Sequence, residues 1–393
     1  MLNRRILRIK AMQSIYAFRQ AERSDYQLAL DLIHETFAPD LNSPTPQDLK
    51  KLEGYRKLGS ILFEESVQKG QISAEEEMPK PVHEAVTKAI GFYQNQTRKD
   101  QAFLGKQMIS EAEKIYDRYI WLLLLLIELA DYVQREEEER QHRQIRPQPS
   151  SRKELKFHYN QVIKLLKEHQ PLEKEAIRRG LNWGAERAFV KELYKEVIKK
   201  DPAYTEYTQL ADASFEEDKK IVNHIAKNII FKHELSNNFF QMLDLSWPEN
   251  KDVLKSMVTK TIKNIEESKP DSLELLDLAI NWEDDRDFFA DLYKYTIEND
   301  EQYEEMVSGK TKNWDVERVA ALDKILLKMA IAEIMHFPSI PVKVTINEYI
   351  ELSKVYSTPK SKQFVNGMLD AISAELTAKG LVKKSGRGLI DNK

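Results

Sequence analysis

The sequence contains no cysteine, which excludes disulfides, thiolate zinc sites and a cysteine nucleophile. A reducing intracellular compartment is compatible with that, though not required by it. Glycine (12) and proline (14) are scarce in 393 residues, and Leu, Lys, Glu, Ile and Ala are plentiful, so the chain leans towards helix. Long apolar runs are also lacking. The one candidate, Trp121–Ile127, is flanked by Asp117, Arg118, Glu128 and Asp131. It falls far short of the roughly 20 apolar residues that a bilayer span needs, and reads as a buried helix. No signal peptide is expected, because the basic start is not followed by an uninterrupted apolar core. Neither sign of charge dominates. With 60 Lys and Arg against 64 Asp and Glu, a uniformly basic nucleic-acid coat is excluded but a local basic patch is not.

Motifs that carry chemistry are missing as well. There is no Walker A loop, no G-x-G-x-x-G and no H-E-x-x-H. The eight histidines are scattered, and His224 and His233, nine apart, do not share a helix face at metal-ligand spacing. Glu283, Asp284 and Asp285 fit the solvation of a helix start. Glu348 and Glu351 fit helix-surface ion pairs or caps better than an acid–base pair. The expectation is a protein without catalysis, cofactor or metal.

What remains is a series of amphipathic helices, long enough in total for two or three domains. Residues 3–20 read as a first helix with Asn3 as N-cap. At 100° per residue Arg4, Arg5, Arg8 and Arg19 fall within about one quadrant, with Ile6, Ile9 and Tyr16 elsewhere. Arginine near a helix N-terminus opposes the macrodipole at a cost of about 0.3–1 kcal/mol each when exposed. Stability gives no reason for three of them in two turns, whereas a phosphate-bearing partner does. A solvated, loosely ordered N-terminus is the other reading, and composition does not choose between them.

Further helices are expected over 25–37, 47–69, 82–98, 101–140, 152–168, 185–200, 215–243 and 286–308. Prolines 39, 44 and 46 mark a loop, and Arg146–Ser151 marks an exposed linker. The run R-E-E-E-E-R at 135–140 reads as a solvated helix end, with an acidic docking tail as the alternative. No fixed-period repeat supports a solenoid. Trp314–His336 forms the next helix, with Val319, Leu322, Leu326 and Met329 on one face, stopped by Phe337-Pro338. Two more follow. The first starts near Ser339 as N-cap and Pro341, and aligns Val342, Ile346, Tyr349 and Tyr356. The second starts after Thr358-Pro359 and buries Val365, Met368, Leu369, Ile372 and Leu376. Inside it Gly367 costs about 1 kcal/mol against alanine, which suggests close approach of another backbone or a ligand. Residues 379–393 read as a flexible basic tail.

The C-terminal pattern I-P-x-K-V-x-I-N-E-x-I-E-L-x-K-x-Y…S-x-x-F-V-N-G-x-L-D resembles the C-terminal half of the NusB family, bacterial transcription antitermination factors. The start R-R-x-x-R…A-x-Q-x-x-Y, with Arg4, Arg5, Arg8, Ala11, Gln13 and Tyr16, is similar to the family's arginine-rich first helix. Residues 316–334 resemble its L-x-x-V-E-K-A-V-L-R-I-A-x-x-E-L, with Asp323 for the usual glutamate and Lys328 for the usual arginine.

The resemblance implies an all-α, two-bundle NusB-like fold enlarged by a helical insertion. Residues 1–38 would start the N-terminal bundle, 39–249 form the insertion, 250–310 complete that bundle, 311–378 form the C-terminal bundle and 379–393 the tail. It further implies binding of boxA-like single-stranded RNA from ribosomal RNA leaders, together with the ribosomal protein NusE, in a cytoplasmic transcription elongation complex. The RNA-binding residues would be Arg4, Arg5, Arg8, Lys343, Phe364, Asn366 and Gly367. For Phe364 plain core packing stands as the alternative, and for Asn366 satisfaction of backbone groups at a helix junction. Tyr16, Glu317 and Asp323 would face NusE, unless the two acids belong to an ordinary solvated surface. Lys360 stands where an acid is common in the family, and Gln363 where a basic residue is. A NusB-like domain also precedes some RNA cytosine methyltransferases, but those need a cysteine nucleophile and a cofactor-binding α/β domain that this chain lacks. Two competing readings are a protein-only helical scaffold that has lost RNA binding, and a homodimer that hides its arginines.

Overall fold

The computed structural model describes residues 1–69, 78–142, 153, 155–267, 273–310 and 320–392. Among them the protein is all-α with no strand, as expected. In chain order the helices are α1 (Arg4–Thr36), α2 (Leu49–Lys69), α3 (Lys80–His142), α4 (Gln161–Glu168), α5 (Gln170–Arg179), α6 (Arg187–Glu192), α7 (Pro202–Gln209) and α8 (Phe215–His224). They continue with α9 (Glu234–Leu243), α10 (Trp247–Asn264), α11 (Trp282–Glu298), α12 (Asp300–Ser308), α13 (Ala321–His336), α14 (Val342–Tyr356) and α15 (Ser361–Ala378).

Several helix ends follow local chemistry. The Asn3 side chain accepts the Ile6 N–H at 3.1 Å and opens α1. Ser214 and Glu217 form a reciprocal capping box on α8. Gly180, in the left-handed region at φ 64°, closes α5.

Other boundaries differ from the sequence expectation. The two helices expected over 3–20 and 25–37 are the single α1, and those over 82–98 and 101–140 are the single α3. The intervening segments A-E-R-S-D and Q-T-R-K-D are polar but contain neither proline nor glycine, so nothing in them breaks a helix. The helix expected over 286–308 is instead α11 and α12, divided at Asn299. The expected cap at Ser339 is not used, and Pro341 itself stands in the extended cap position before α14. α13 begins after an extended Ala320. The earlier part of its expected span, with Val319 and Glu317, lies outside the described residues.

The chain forms two compact units. The first comprises Met1–Leu7 and Ser110–Asp285. Its core is aromatic. Trp121 and Trp183 stack with ring centroids 3.8 Å apart, and each indole N–H donates to a backbone carbonyl, that of Asn182 and of Trp121, at 2.9 Å. Phe189 and Phe239 stack at 3.6 Å, and Phe240 lies on Trp247 at 4.4 Å. The apolar run 121–127 is buried or half-buried in this core, and no helix among the described residues is long and apolar enough to cross a membrane.

The second unit comprises Arg8–Ile109 and Arg286–Lys393. The segment expected as one insertion, 39–249, is therefore divided between the units at Ser110. In the second unit α1, α2 and the first part of α3 close around Ile33, Phe37, Phe63, Val82 and Val86. α13 is the centre of the remainder and packs against α12, α14 and α15. Residues 325–334 of α13 are buried without interruption, as befits a helix that is largely apolar around its circumference. The stripe Val365, Met368, Leu369, Ile372 and Leu376 of α15 is buried as expected.

Candidate functional site

Three buried charged side chains interrupt the apolar surface of α13, and each is tied to a different neighbour. Lys328 Nζ lies 2.7 Å from Asp300 Oδ1 and 2.8 Å from Glu304 Oε2, both on α12. Asp323 Oδ2 accepts the Ser361 hydroxyl of α15 at 2.6 Å. Glu333, fully buried, accepts Arg8 Nε at 2.8 Å and Nη2 at 2.7 Å, Thr345 Oγ1 at 2.8 Å and the Tyr349 hydroxyl at 3.2 Å. An unpaired carboxylate at that depth would cost several kcal/mol. Four donors satisfy it.

This network decides what Arg8 can do. The residue is 3% exposed, and its guanidinium forks onto Glu333, reaches Glu348 at 3.7 Å and lies 5.3 Å from the Phe288 ring centroid. Burial works against its charge, but Glu333 and its hydrogen bonds more than compensate, so the pKa is raised. Burial, then the neighbouring Glu333 charge, raises Tyr349 well above the usual phenol range. Arg8 was expected to meet phosphate. The structure places it instead as the link from α1 to α13. The partner Glu333 was not picked out from the sequence, although it stands at the glutamate of the quoted I-A-x-x-E-L pattern.

The other expected residues fall into distinct settings. Arg4 and Arg5 belong to the first unit: Arg4 is half-buried, its Nε 2.9 Å from Asp285 Oδ1, and Arg5 is exposed. In the second unit Lys343 is exposed in the first turn of α14. Asn366 and Gly367 are exposed on α15, and Asn366 Nδ2 donates to Asp370 at 3.3 Å. Apart from its own helix backbone, no atom among the described residues lies within 4 Å of where a Cβ on Gly367 would stand, so none of them makes the close approach its glycine suggests. Phe364 is buried at 6% exposure and faces the core. Asp323, at 4%, is buried rather than presented on a partner surface.

Tyr16 differs. It is 40% exposed and borders an open groove of about 520 Å³ with Met12, Gln13, Leu322, Tyr356 and Thr358. The groove lining is mostly carbon, with amide, phenol and hydroxyl groups among it, which suits a protein segment better than a small charged substrate. Among the described residues no three His, Asp or Glu are grouped to hold a metal ion.

These features define an all-helical protein whose buried charges lock its helices and whose exposed polar positions and groove face outward. Residues 251–374 match the model of the NusB family. The chain is 38% identical over 141 residues to the transcription antitermination protein NusB of Salinibacter ruber, covering 35% of this chain and 88% of that protein. It is 43% identical over 106 residues to NusB of Chloroherpeton thalassium, covering 27% of this chain and 50% of that protein. A solved T. maritima NusB aligns at 23% identity over 40% of this chain and 91% of its own, with a TM-score of 0.23, too low to bear on the fold. The chain belongs to the NusB family of transcription antitermination proteins.

Proposed function

We propose that the protein binds boxA-like single-stranded RNA together with NusE and supports antitermination during ribosomal RNA transcription, without catalysis, in the cytoplasm. The observation that carries this reading is the alignment with 88% of the length of a protein named for transcription antitermination. Single-strand recognition needs cations for phosphates and amides or rings for bases. Arg4, Arg5 and Lys343 are the cations assigned to it, and Asn366 the amide, with Gly367 admitting the strand. Arg8 acts by holding α1 in place. Tyr16 and its groove are assigned to NusE and, through it, to the elongation complex.

The test is a filter-binding titration of Arg4→Ala/Arg5→Ala against the unchanged protein, with boxA-like and scrambled RNA and with and without NusE. Losing two phosphate contacts lowers the slope of log affinity against log salt by about 1.4. An unchanged slope removes both arginines from the site.

The burial of Arg8 and Phe364 favours a second reading, a helical scaffold of this fold that has lost RNA binding. Equal affinity for both RNAs, or none for either, would select it. A homodimer would be seen by light scattering.

A further inference from the structure

The C-terminal tail is a basic stretch in an otherwise balanced chain. Residues 379–393 contain five basic side chains and one acidic, against 60 and 64 in the whole. The tail does not trail away from the fold. Gly380, at φ 68°, closes α15 with its N–H on the Thr377 carbonyl at 3.0 Å, and the Leu381 N–H reaches Leu376 at 2.9 Å.

The chain then returns to the junction between α13 and α14. Lys384 Nζ donates to the Phe337 carbonyl at 3.0 Å, placing a cation at the negative end of α13. The Ser385 N–H donates to the Pro338 carbonyl at 3.0 Å, and Gly388 is buried so tightly there that a Cβ would run into that carbonyl. The last helical turn, Gly386–Asn392, packs on α14. Lys384 and Gly388 thus face inward, while Lys383 and Arg387 are exposed. Lys343 is exposed on the first turn of that same α14.

Fixing a basic tail by three inward contacts, with two cations left outward, has no stabilising purpose for those two, since exposed charges contribute little to a fold. We propose that the docked tail is part of the RNA-binding face, with Lys383 and Arg387 taking backbone phosphates of a single strand beside Lys343. The inference rests on the RNA reading above and extends it to residues outside the family match, which ends at 374. The contacts are to phosphate, so the tail adds affinity without choosing sequence.

The experiment titrates the full chain with boxA-like RNA and a scrambled strand of equal length, across salt. Lys383→Ala/Arg387→Ala is expected to weaken both strands about 10- to 30-fold at 0.1 M salt and to lower the salt slope by about 1.4. Gly388→Val, which unseats the tail while leaving its charges, is expected to weaken both strands by a smaller factor with an unchanged melting temperature. Unaltered binding by the unchanged protein and the double variant alike overturns the tail assignment and leaves the RNA reading standing. Failure of the unchanged protein to bind either strand overturns the RNA reading itself. A loss with the double variant but none with Gly388→Val overturns the docked arrangement.

Discussion

Arg8 and Glu333, 325 positions apart, meet through two hydrogen bonds of 2.8 and 2.7 Å in the interior of the second unit. The pair fixes the start of that unit's α1 segment to the central helix α13, and Thr345 and Tyr349 bring α14 to the same carboxylate. The charge that looked most like an RNA contact is thereby a structural one.

Breaking the pair should be costly. Arg8→Ala strands a buried carboxylate, and the expected loss is about 3–5 kcal/mol by urea denaturation. Arg8→Lys keeps the charge but not the planar fork, and should still lose a large part of that. Arg8→Met with Glu333→Gln should recover most of the stability. If Arg8→Lys melted normally yet failed to bind RNA, the structural assignment would be wrong.

Gly367 separates stability from binding. Its helix position is exposed with open space around it, so Gly367→Ala should stabilise the fold by about 1 kcal/mol. If an RNA strand lies against this glycine, the same change weakens RNA binding. A variant that melts higher and binds equally well takes Gly367 out of the interface.

Asp323 offers a similar separation for the protein partner. Oδ2 is held by Ser361, and Oδ1 is buried without a hydrogen-bond partner among the described residues. Asp323→Asn keeps the acceptor and removes an uncompensated charge, so stability should hold or rise by up to about 1 kcal/mol. NusE affinity, measured by calorimetry, should be unchanged. A tenfold loss with the fold intact would return Asp323 to the partner surface.

The polar segments that failed to break α1 and α3 give a pH dependence. Burial, then the neighbouring Asp100, pushes the Asp25 carboxyl up to about 6. A group whose folded pKa is raised holds its proton more tightly when folded, so ionisation disfavours the fold. This contribution is fully present below about pH 4, is lost as pH rises towards 6, and stays lost above. Asp25→Asn should therefore raise the melting temperature at pH 7 and leave it nearly unchanged at pH 4. Equal shifts at both pH values would count against it.

Gly59 tests the packing of α2. A Cβ there would stand 2.8 Å from Cγ2 of Ile33, a fully buried residue of α1 in the core shared with α2 and the first part of α3. The helix-propensity gain of about 1 kcal/mol is set against an overpacking cost of about 1–3 kcal/mol. Gly59→Ala should be neutral to destabilising, the opposite sign to Gly367→Ala, and a higher denaturation midpoint would show that Ile33 can move aside.

Much of this molecule is legible along the chain. The apolar spacing of α15, the Asn3 cap, the buried fate of the 121–127 run and the family motifs are local, and each follows from what one helix must do with its own side chains. Helix continuity was less legible, because R-S-D and R-K-D look like linkers although polarity does not break a helix. The charged residues were least legible. Arg4, Arg5 and Arg8 share one face in sequence, yet Arg8 is buried against a glutamate brought from position 333, and Asp323 looks like surface until Ser361 closes over it. The sequence alone determined that the chain is helical and which family it joins, since periodicity and motif are properties of neighbours. Which of its charges reach solvent was decided by tertiary structure, because burial of a charge depends on a partner that only folding delivers.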